Sequence, residues 1–438
     1  MGNHFLNSAA LRMSLLGLVF IAALPAAAQE LVPSTPQPAE LAWPTNGWET
    51  GEMDAGVAAI VTPLIDKVIA GEKAGPMGET RAVVIIHEGK LVAEAYRDGF
   101  GPKTKQISWS MAKSVTSALV GRAVALGLID DIDAAMPTPF EAGDPRAEIT
   151  WGQWLTMTDG LDYAEIGATS MAENDVIQMM FGKGRFDVLD YVKSDLPLIH
   201  EPGTHWNYST AAFHLIGRAV QDTLRENPQI KGSVCGDKPC LKPILCAFRP
   251  DNGQLAEGDK RPAETEDLSR EEIDECIARS FFDELLLPRI GMDALVEFDA
   301  AGTYLGGSLV WASPRDFAKF GYLYLRDGVW DGERLLPEGW VDFARTKTPA
   351  DNSNVYGAGW WITAYGAPLT HAQNAATPPW DAFHAGGHEG QTIWVVPSRD
   401  LVIVHLGLME NTDENWSALY EWNQEIARAF PEVAAAVE

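Results

Sequence analysis

The chain has 438 residues, 61 of them acidic against 33 basic, for a formal charge of −28. So acidic a surface argues against nucleic acid and anionic membranes as partners and favours neutral or cationic small molecules. The length supports two or three packed units around a sizeable core.

Residues 1–28 read as an export signal. Arg12 opens it, Met13 to Leu24 is an apolar run, and Ala26, Ala27 and Ala28 form a small-residue cleavage site before Gln29. The run is too short to cross a bilayer, and no later stretch approaches the about 20 apolar residues a span needs. The expected location is periplasmic or secreted, with no integral membrane segment once the signal is removed. No cysteine near the cleavage site offers a point for lipid attachment. Residues 29–56 read as an N-terminal extension, in which Leu31 to Pro44 carries four prolines and suits an extended tether.

The pattern predicts a helix over Val57 to Ala70, then strands over Arg81 to His87 and Leu91 to Tyr96 joined at Glu88, Gly89 and Lys90. Ser108 to Ile129 (SWSMAKSVTSALVGRAVALGLI) follows as a buried helix. Met111, Val115, Ala118 and Leu119 share a face, and Gly127 supplies a C-terminal stop. Its first turn holds Ser110 and, three residues on, Lys113. A serine hydroxyl is a poor nucleophile until a base takes its proton. A lysine becomes that base only when burial or nearby positive charge pulls it below its ordinary ~10.4. Serine is also a favoured helix cap, so this pattern alone leaves capping open.

From Asp130 to Glu297 the chain reads as mainly helical, with a turn at Thr158, Asp159 and Gly160. Pro202 to Thr210 is a turn running into an apolar helix, and it carries Tyr208, a phenol able to relay protons. Cys235, Cys240, Cys246 and Cys276 cluster in an irregular, charged insertion at about 228–276. In an exported protein four clustered cysteines predict two disulfides, with three pairings open; the spacing suits zinc poorly. A helix over Pro314 to Asp327, a turn at Asp331 and Gly332, strands over Gln391 to Val396 and Leu401 to Leu408, and a helix over Glu414 to Phe430 complete the chain. Before the first of those strands, His384, Ala385, Gly386 and Gly387 form a glycine-rich stretch where backbone can approach a substrate. His384 and His388 are four apart, but the glycines between them argue against a helix and no third ligand is evident, so no metal is expected.

These readings give an α+β fold: an antiparallel sheet flanked by helices, built from both ends of the chain (57–129 plus 298–438), with an inserted mainly helical domain (130–297). GxSxG, Walker, dinucleotide and HExxH patterns are all missing.

SMAK at 110–113, YST at 208–210 and HAG at 384–386 resemble, in order, the SxxK, YxN and KTG motifs of serine β-lactamase-related hydrolases. The likeness is to the class C branch with its esterases and 6-aminohexanoate-oligomer hydrolases. It extends to ITWGQWLTMTDGL (149–161), EPGTHWNY (201–208), ASPRDFAKFGYLY (312–324) and GVWDGERLLPEGW (328–340). The resemblance implies that Ser110 is the acylated nucleophile, Lys113 its proton acceptor and Tyr208 the second member of the base system. It implies an oxyanion hole from the Ser110 and Gly387 amides, and substrate contacts from His384, Gly386 and Thr210. No cofactor is implied. Two positions depart from the pattern, Thr210 for asparagine and His384 for lysine. The missing lysine charge favours a small ester or amide over a β-lactam or peptidoglycan substrate, since histidine (~6.5) is mostly neutral at pH 7. The rival expectations are a β-lactamase or D,D-peptidase, and a non-catalytic binding protein on the same scaffold.

Overall fold

Residues 31–72, 75–226, 286–350, 355–362 and 381–433 are described by the computed structural model. The predicted export signal at 1–28 and the cysteine-bearing insertion lie outside the described residues.

A five-stranded antiparallel sheet in the order β2-β1-β10-β9-β8 forms the middle layer. Its strands are β1 (Glu79–His87), β2 (Lys90–Tyr96), β8 (Phe383–Gly387), β9 (Gln391–Val396) and β10 (Leu401–Leu408). The two chain ends meet at its centre, where Val84 pairs with Val404 and Ile86 with Val402. Central strands are covered on both faces, so β1 and β10 read as nearly unbroken apolar runs rather than alternating ones. Val83, Ile85, Leu401 and Ile403 point to one side. Val84, Ile86, Val402 and Val404 point to the other.

The first side is closed by α1 (Ala55–Ile69) and the C-terminal helix α9 (Asp413–Ala429). Val57, Val61, Ile65 and Val68 recur at helical spacing along α1 and meet Leu419, Trp422 and Ile426 of α9 in one cluster. The second side takes α2 (Ala112–Ala125) and α7 (Pro314–Leu325). Gly321 lets α7 lie flush on the sheet, because a Cβ there would come within 2.6 Å of Ile393 Cγ2 and 2.8 Å of Val402 Cγ1. The β1–β2 hairpin turns through Glu88 (φ 47°) and Gly89 (φ 77°), the left-handed pair that matches strand twist.

Between α2 and α7 the chain runs through α3 (Trp151–Leu155), α4 (Asp175–Met180), α5 (Val188–Asp195) and α6 (Thr210–Glu226). A small second sheet, β3-β5-β4, ties β3 (Gln106–Ile107), just ahead of Ser110, to β4 (Ala294–Val296) and β5 (Val310–Ala312) beyond the helices. Two short strands, β6 (Val329–Trp330) and β7 (Glu333–Arg334), and helix α8 (Trp340–Arg345) complete the labelled elements.

α2 is buried all round from Ala112 to Ala123, a central helix rather than an amphipathic surface one. It is held between the sheet and α6, whose Ala212, Phe213, Ile216 and Val220 are all buried. The sequence reading begins this strand region at Gln391 with a glycine-rich stretch before it, yet Phe383–Gly387 pairs with β9 from Phe383↔Val395 to Gly387↔Gln391 as the edge strand β8. Sheet pairing overrides the weak strand propensity of glycine.

Candidate active site

Ser110 sits in a single 3-10 turn, Trp109–Met111, that leads into α2. Trp109 adopts φ 44°, an uncommon left-handed conformation for a bulky residue. Its indole Nε1 donates to Glu389 Oε2 at 3.0 Å and its ring meets His388 edge-on at 5.6 Å. The Ser110 turn and the loop after β8 are thereby tied together. Glu389 is itself left-handed, with φ 63°.

Lys113 lies one helical turn from Ser110 and is 1% exposed. Its Nζ reaches Ser110 Oγ at 2.9 Å, Thr210 Oγ1 at 2.8 Å and the Gly307 carbonyl at 2.7 Å. Burial pushes its pKa down to about 8, against a smaller upward pull from the Glu165 charge. A buried amine with that pKa exists in both protonation states near neutral pH, the condition for a general base.

Tyr208 ends the turn before α6, and Lys113 Nζ lies 4.9 Å from its ring centroid. Burial, and then the Glu165 charge, hold its hydroxyl well above the ordinary phenol range, while a hydrogen bond with Ser110 pulls the other way. The sequence reading makes Tyr208 the second member of the base system. In the structure desolvation wins, so the group at Ser110 is a neutral phenol, a proton donor first.

Thr210 opens α6 and is fully buried. Besides accepting from Lys113, its amide N–H donates to Glu165 Oε2 and its hydroxyl to Glu165 Oε1, both at 3.0 Å. The sequence reading gives it a substrate contact; the structure places it behind the lysine instead.

Gly387 is where β8 meets the Ser110 turn. A Cβ there would stand 2.2 Å from the Ser108 carbonyl oxygen and 3.3 Å from Met111 N, so only glycine permits this approach. At Gly386 a Cβ would come within 3.0 Å of Trp361 Cδ1, so that edge is lined by the indole.

His384 differs most from expectation. It is 2% exposed rather than open to substrate. Its ring belongs to a stack that runs Tyr208, Trp361, His384, Trp394, with centroid separations of 5.2, 6.4 and 5.1 Å. Its Nε2 lies 3.2 Å from the Tyr420 hydroxyl. Burial pushes its pKa to about 3, so the ring carries no charge at neutral pH. The physical reason is that Trp361, paired to His384 through both backbone bonds, fills the space beside Tyr208.

Sequence reasoning missed Glu165, Gly307 and Trp361. Glu165 follows Tyr163 in a loop without periodic pattern and carries no signal of its own. The Gly306–Gly307 pair is a visible mark of close backbone approach. Among the described residues no cluster of His, Cys, Asp or Glu has the arrangement of a metal site, and no helix is long and apolar enough to cross a membrane.

Comparison with known proteins places the fold. Residues 74–226 match the family model described as Beta-lactamase. A 6-aminohexanoate-dimer hydrolase of Paenarthrobacter ureafaciens is 24% identical over 365 residues, 78% of this chain and 76% of that protein. Among solved structures, a Bacillus anthracis protein provisionally named a 6-aminohexanoate-dimer hydrolase superposes with a TM-score of 0.58 at 18% identity. The match covers 91% of this chain and 90% of that one. A penicillin-binding protein homologue from Caulobacter crescentus gives 0.52 at 14% identity, covering 85% and 99%. The fold is that of the β-lactamase and penicillin-binding-protein hydrolases.

Proposed function

Starting from a Beta-lactamase family domain over residues 74–226, we propose that the protein is an exported serine hydrolase that cleaves a small ester or amide through an acyl-Ser110 intermediate. The observation that carries this reading is Lys113 Nζ, buried, with a pKa near 8 and 2.9 Å from Ser110 Oγ.

In acylation, Ser110 Oγ attacks the substrate carbonyl carbon and its proton passes to Lys113 Nζ. The carbonyl oxygen becomes an oxyanion, received by the Ser110 amide and an amide from the Gly386–Gly387 end of β8. Preorganised donors of this kind are worth roughly 10²–10³ in rate each. Collapse breaks the C–O or C–N bond, and the leaving oxygen or nitrogen takes a proton from the neutral Tyr208 phenol, which Lys113 restores. Water then attacks the acyl carbon, gives its proton to the same pair, and releases the acid and Ser110.

Substrate class follows from charge. A β-lactam or peptidyl substrate presents a carboxylate, and the motif residue that would meet it, His384, is neutral and screened by Trp361. Tyr208 and Trp361 each meet Tyr356 edge-on beside Lys113, an aromatic neighbourhood that suits an uncharged acyl chain. Substrates named for the relatives, such as the 6-aminohexanoate dimer, belong in the same panel as short esters.

The test compares kcat/KM for p-nitrophenyl butyrate, short amides, 6-aminohexanoate dimer and nitrocefin at pH 8. Wild-type protein preferring an ester or amide by tenfold or more supports the reading. A tenfold preference for nitrocefin transfers the assignment to β-lactam hydrolysis. Export is tested separately by N-terminal sequencing of the periplasmic or secreted protein, which should begin at Gln29.

A further inference from the structure

The lone pair of a neutral Lys113 has to face Ser110 for the amine to act as a base, and one carboxylate outside the three motifs sets that orientation. A neutral amine has two N–H bonds and one lone pair. Nζ has three polar neighbours: Ser110 Oγ, Thr210 Oγ1 and the Gly307 carbonyl. A carbonyl oxygen only accepts, so one N–H points to Gly307. That carbonyl is held on both sides: the N–H of its own peptide, from Ser308, donates to the Leu305 carbonyl at 3.0 Å, and the Gly307 N–H donates to His214 Nδ1 at 3.2 Å. A Cβ on Gly307 would come within 2.8 Å of the Thr210 carbonyl oxygen, so the loop lies close against α6.

The Thr210 hydroxyl is the ambiguous neighbour. Free to rotate, it would donate its proton into the amine lone pair and compete with Ser110. It is not free, because that proton goes to Glu165 Oε1 while Glu165 Oε2 takes the Thr210 backbone N–H. The two contacts together fix the carboxylate at the first turn of α6, where the helix dipole favours negative charge. Toward Lys113 the Thr210 oxygen is left with lone pairs alone. Both amine hydrogens are thus accounted for, and the lone pair faces Ser110.

We infer that Glu165 is a positioning residue for Lys113, acting through Thr210 to turn the amine lone pair onto Ser110. This rests on Lys113 being the base for Ser110. Glu165 also adds the favourable charge. The other groups facing the amine are Tyr208, Tyr163 and Tyr356, held protonated by burial, and His214, pushed to about 3 by burial and by Lys113 itself. Removing the carboxylate charge therefore lowers the Lys113 pKa.

The experiment measures the rate of Ser110 labelling by a fluorophosphonate and kcat/KM for p-nitrophenyl butyrate from pH 5.5 to 10. The proteins are wild type, Glu165→Gln, Glu165→Asp, Thr210→Val and the Glu165→Gln/Thr210→Val double variant. In Glu165→Gln the amide nitrogen donates to Thr210 Oγ1 and turns the hydroxyl proton onto Lys113. The plateau rate should fall roughly tenfold to a hundredfold, the worth of one misdirected hydrogen bond, and the acidic limb should move to lower pH. Glu165→Asp keeps the charge but reaches only one of the two donors, so its plateau should fall while its limb stays. Once Thr210→Val has removed the hydroxyl, adding Glu165→Gln should cost less than about threefold more. Thermal midpoints report folding, and should Glu165→Gln fold poorly, Glu165→Asp and Thr210→Val decide alone.

Glu165→Gln with wild-type plateau and limb would overturn the inference, and so would losses that multiply in the double variant. Wild-type protein that takes no label at Ser110 refutes the serine-hydrolase reading instead, which keeps the two failures distinct.

Discussion

Lys113→Met separates what the buried amine does for catalysis from what it costs the fold. The folded pKa is about 8 against an ordinary 10.5, so the unfolded chain holds this proton more tightly. At pH 7 both states are protonated and the folded state bears the whole difference, about 3 kcal/mol at ~1.4 kcal/mol per unit. The penalty shrinks as pH rises from 8 toward 10.5 and is below about 1 kcal/mol at pH 10. Methionine fills nearly the same unbranched volume without a charge. It leaves the Gly307 carbonyl without its donor, which costs about 1–3 kcal/mol at any pH. The variant should therefore match or exceed wild-type stability at pH 7, by up to about 2 kcal/mol, and fall below it at pH 10. Denaturant unfolding of both proteins at the two pH values measures the difference, and turnover should be lost throughout. A stability difference that does not change between pH 7 and 10 would refute the claim that Lys113 is buried with a depressed pKa.

The other expectations are narrower. His384 and His214 are pushed to about 3 and His405 to about 4 by burial, while burial raises Asp159 to about 6. The histidines stabilise the fold above pH 6.5 and lose that contribution as pH falls, whereas Asp159 acts in the opposite sense between pH 6 and 4. Near pH 5 these four groups together should contribute a net uptake of about two protons on unfolding, a slope of roughly 2.7 kcal/mol per pH unit, and denaturation at stepped pH of wild type and of variants at these four positions measures it. Gly387→Ala forces a Cβ to 2.2 Å from the Ser108 oxygen, so kcat for p-nitrophenyl butyrate should fall about a hundredfold or more; wild-type kcat would show that β8 does not bound the site. Thiol titration of denatured, unreduced exported protein should find no free thiol at Cys235, Cys240, Cys246 or Cys276, and four free thiols would argue for a reduced insertion.

Much of this architecture is legible in the sequence because it rests on local pattern. β1, β9 and β10 are dense runs of β-branched residues, and the helix after Ser110 carries Met111, Val115, Ala118 and Leu119 on one face. The glycines of β8 hide a strand that only pairing with β9 creates. Ser110 and Lys113 are readable together because one helical turn separates them. Glu165 is not, since its link to Lys113 crosses from the loop after α3 to the start of α6 through a threonine hydroxyl. His384 sits at a motif position, yet its burial depends on Trp361, which no local pattern connects to it.

The central claim is that Ser110 carries the acyl group. Incubating the purified protein with a fluorophosphonate, and separately quenching a p-nitrophenyl butyrate reaction in acid, allows intact mass and peptide mapping to locate the adduct. A single stoichiometric adduct on the Ser110 peptide, missing in Ser110→Ala together with turnover, is the expected result. An adduct on another residue, or Ser110→Ala protein that still hydrolyses the ester at the wild-type rate, would contradict it.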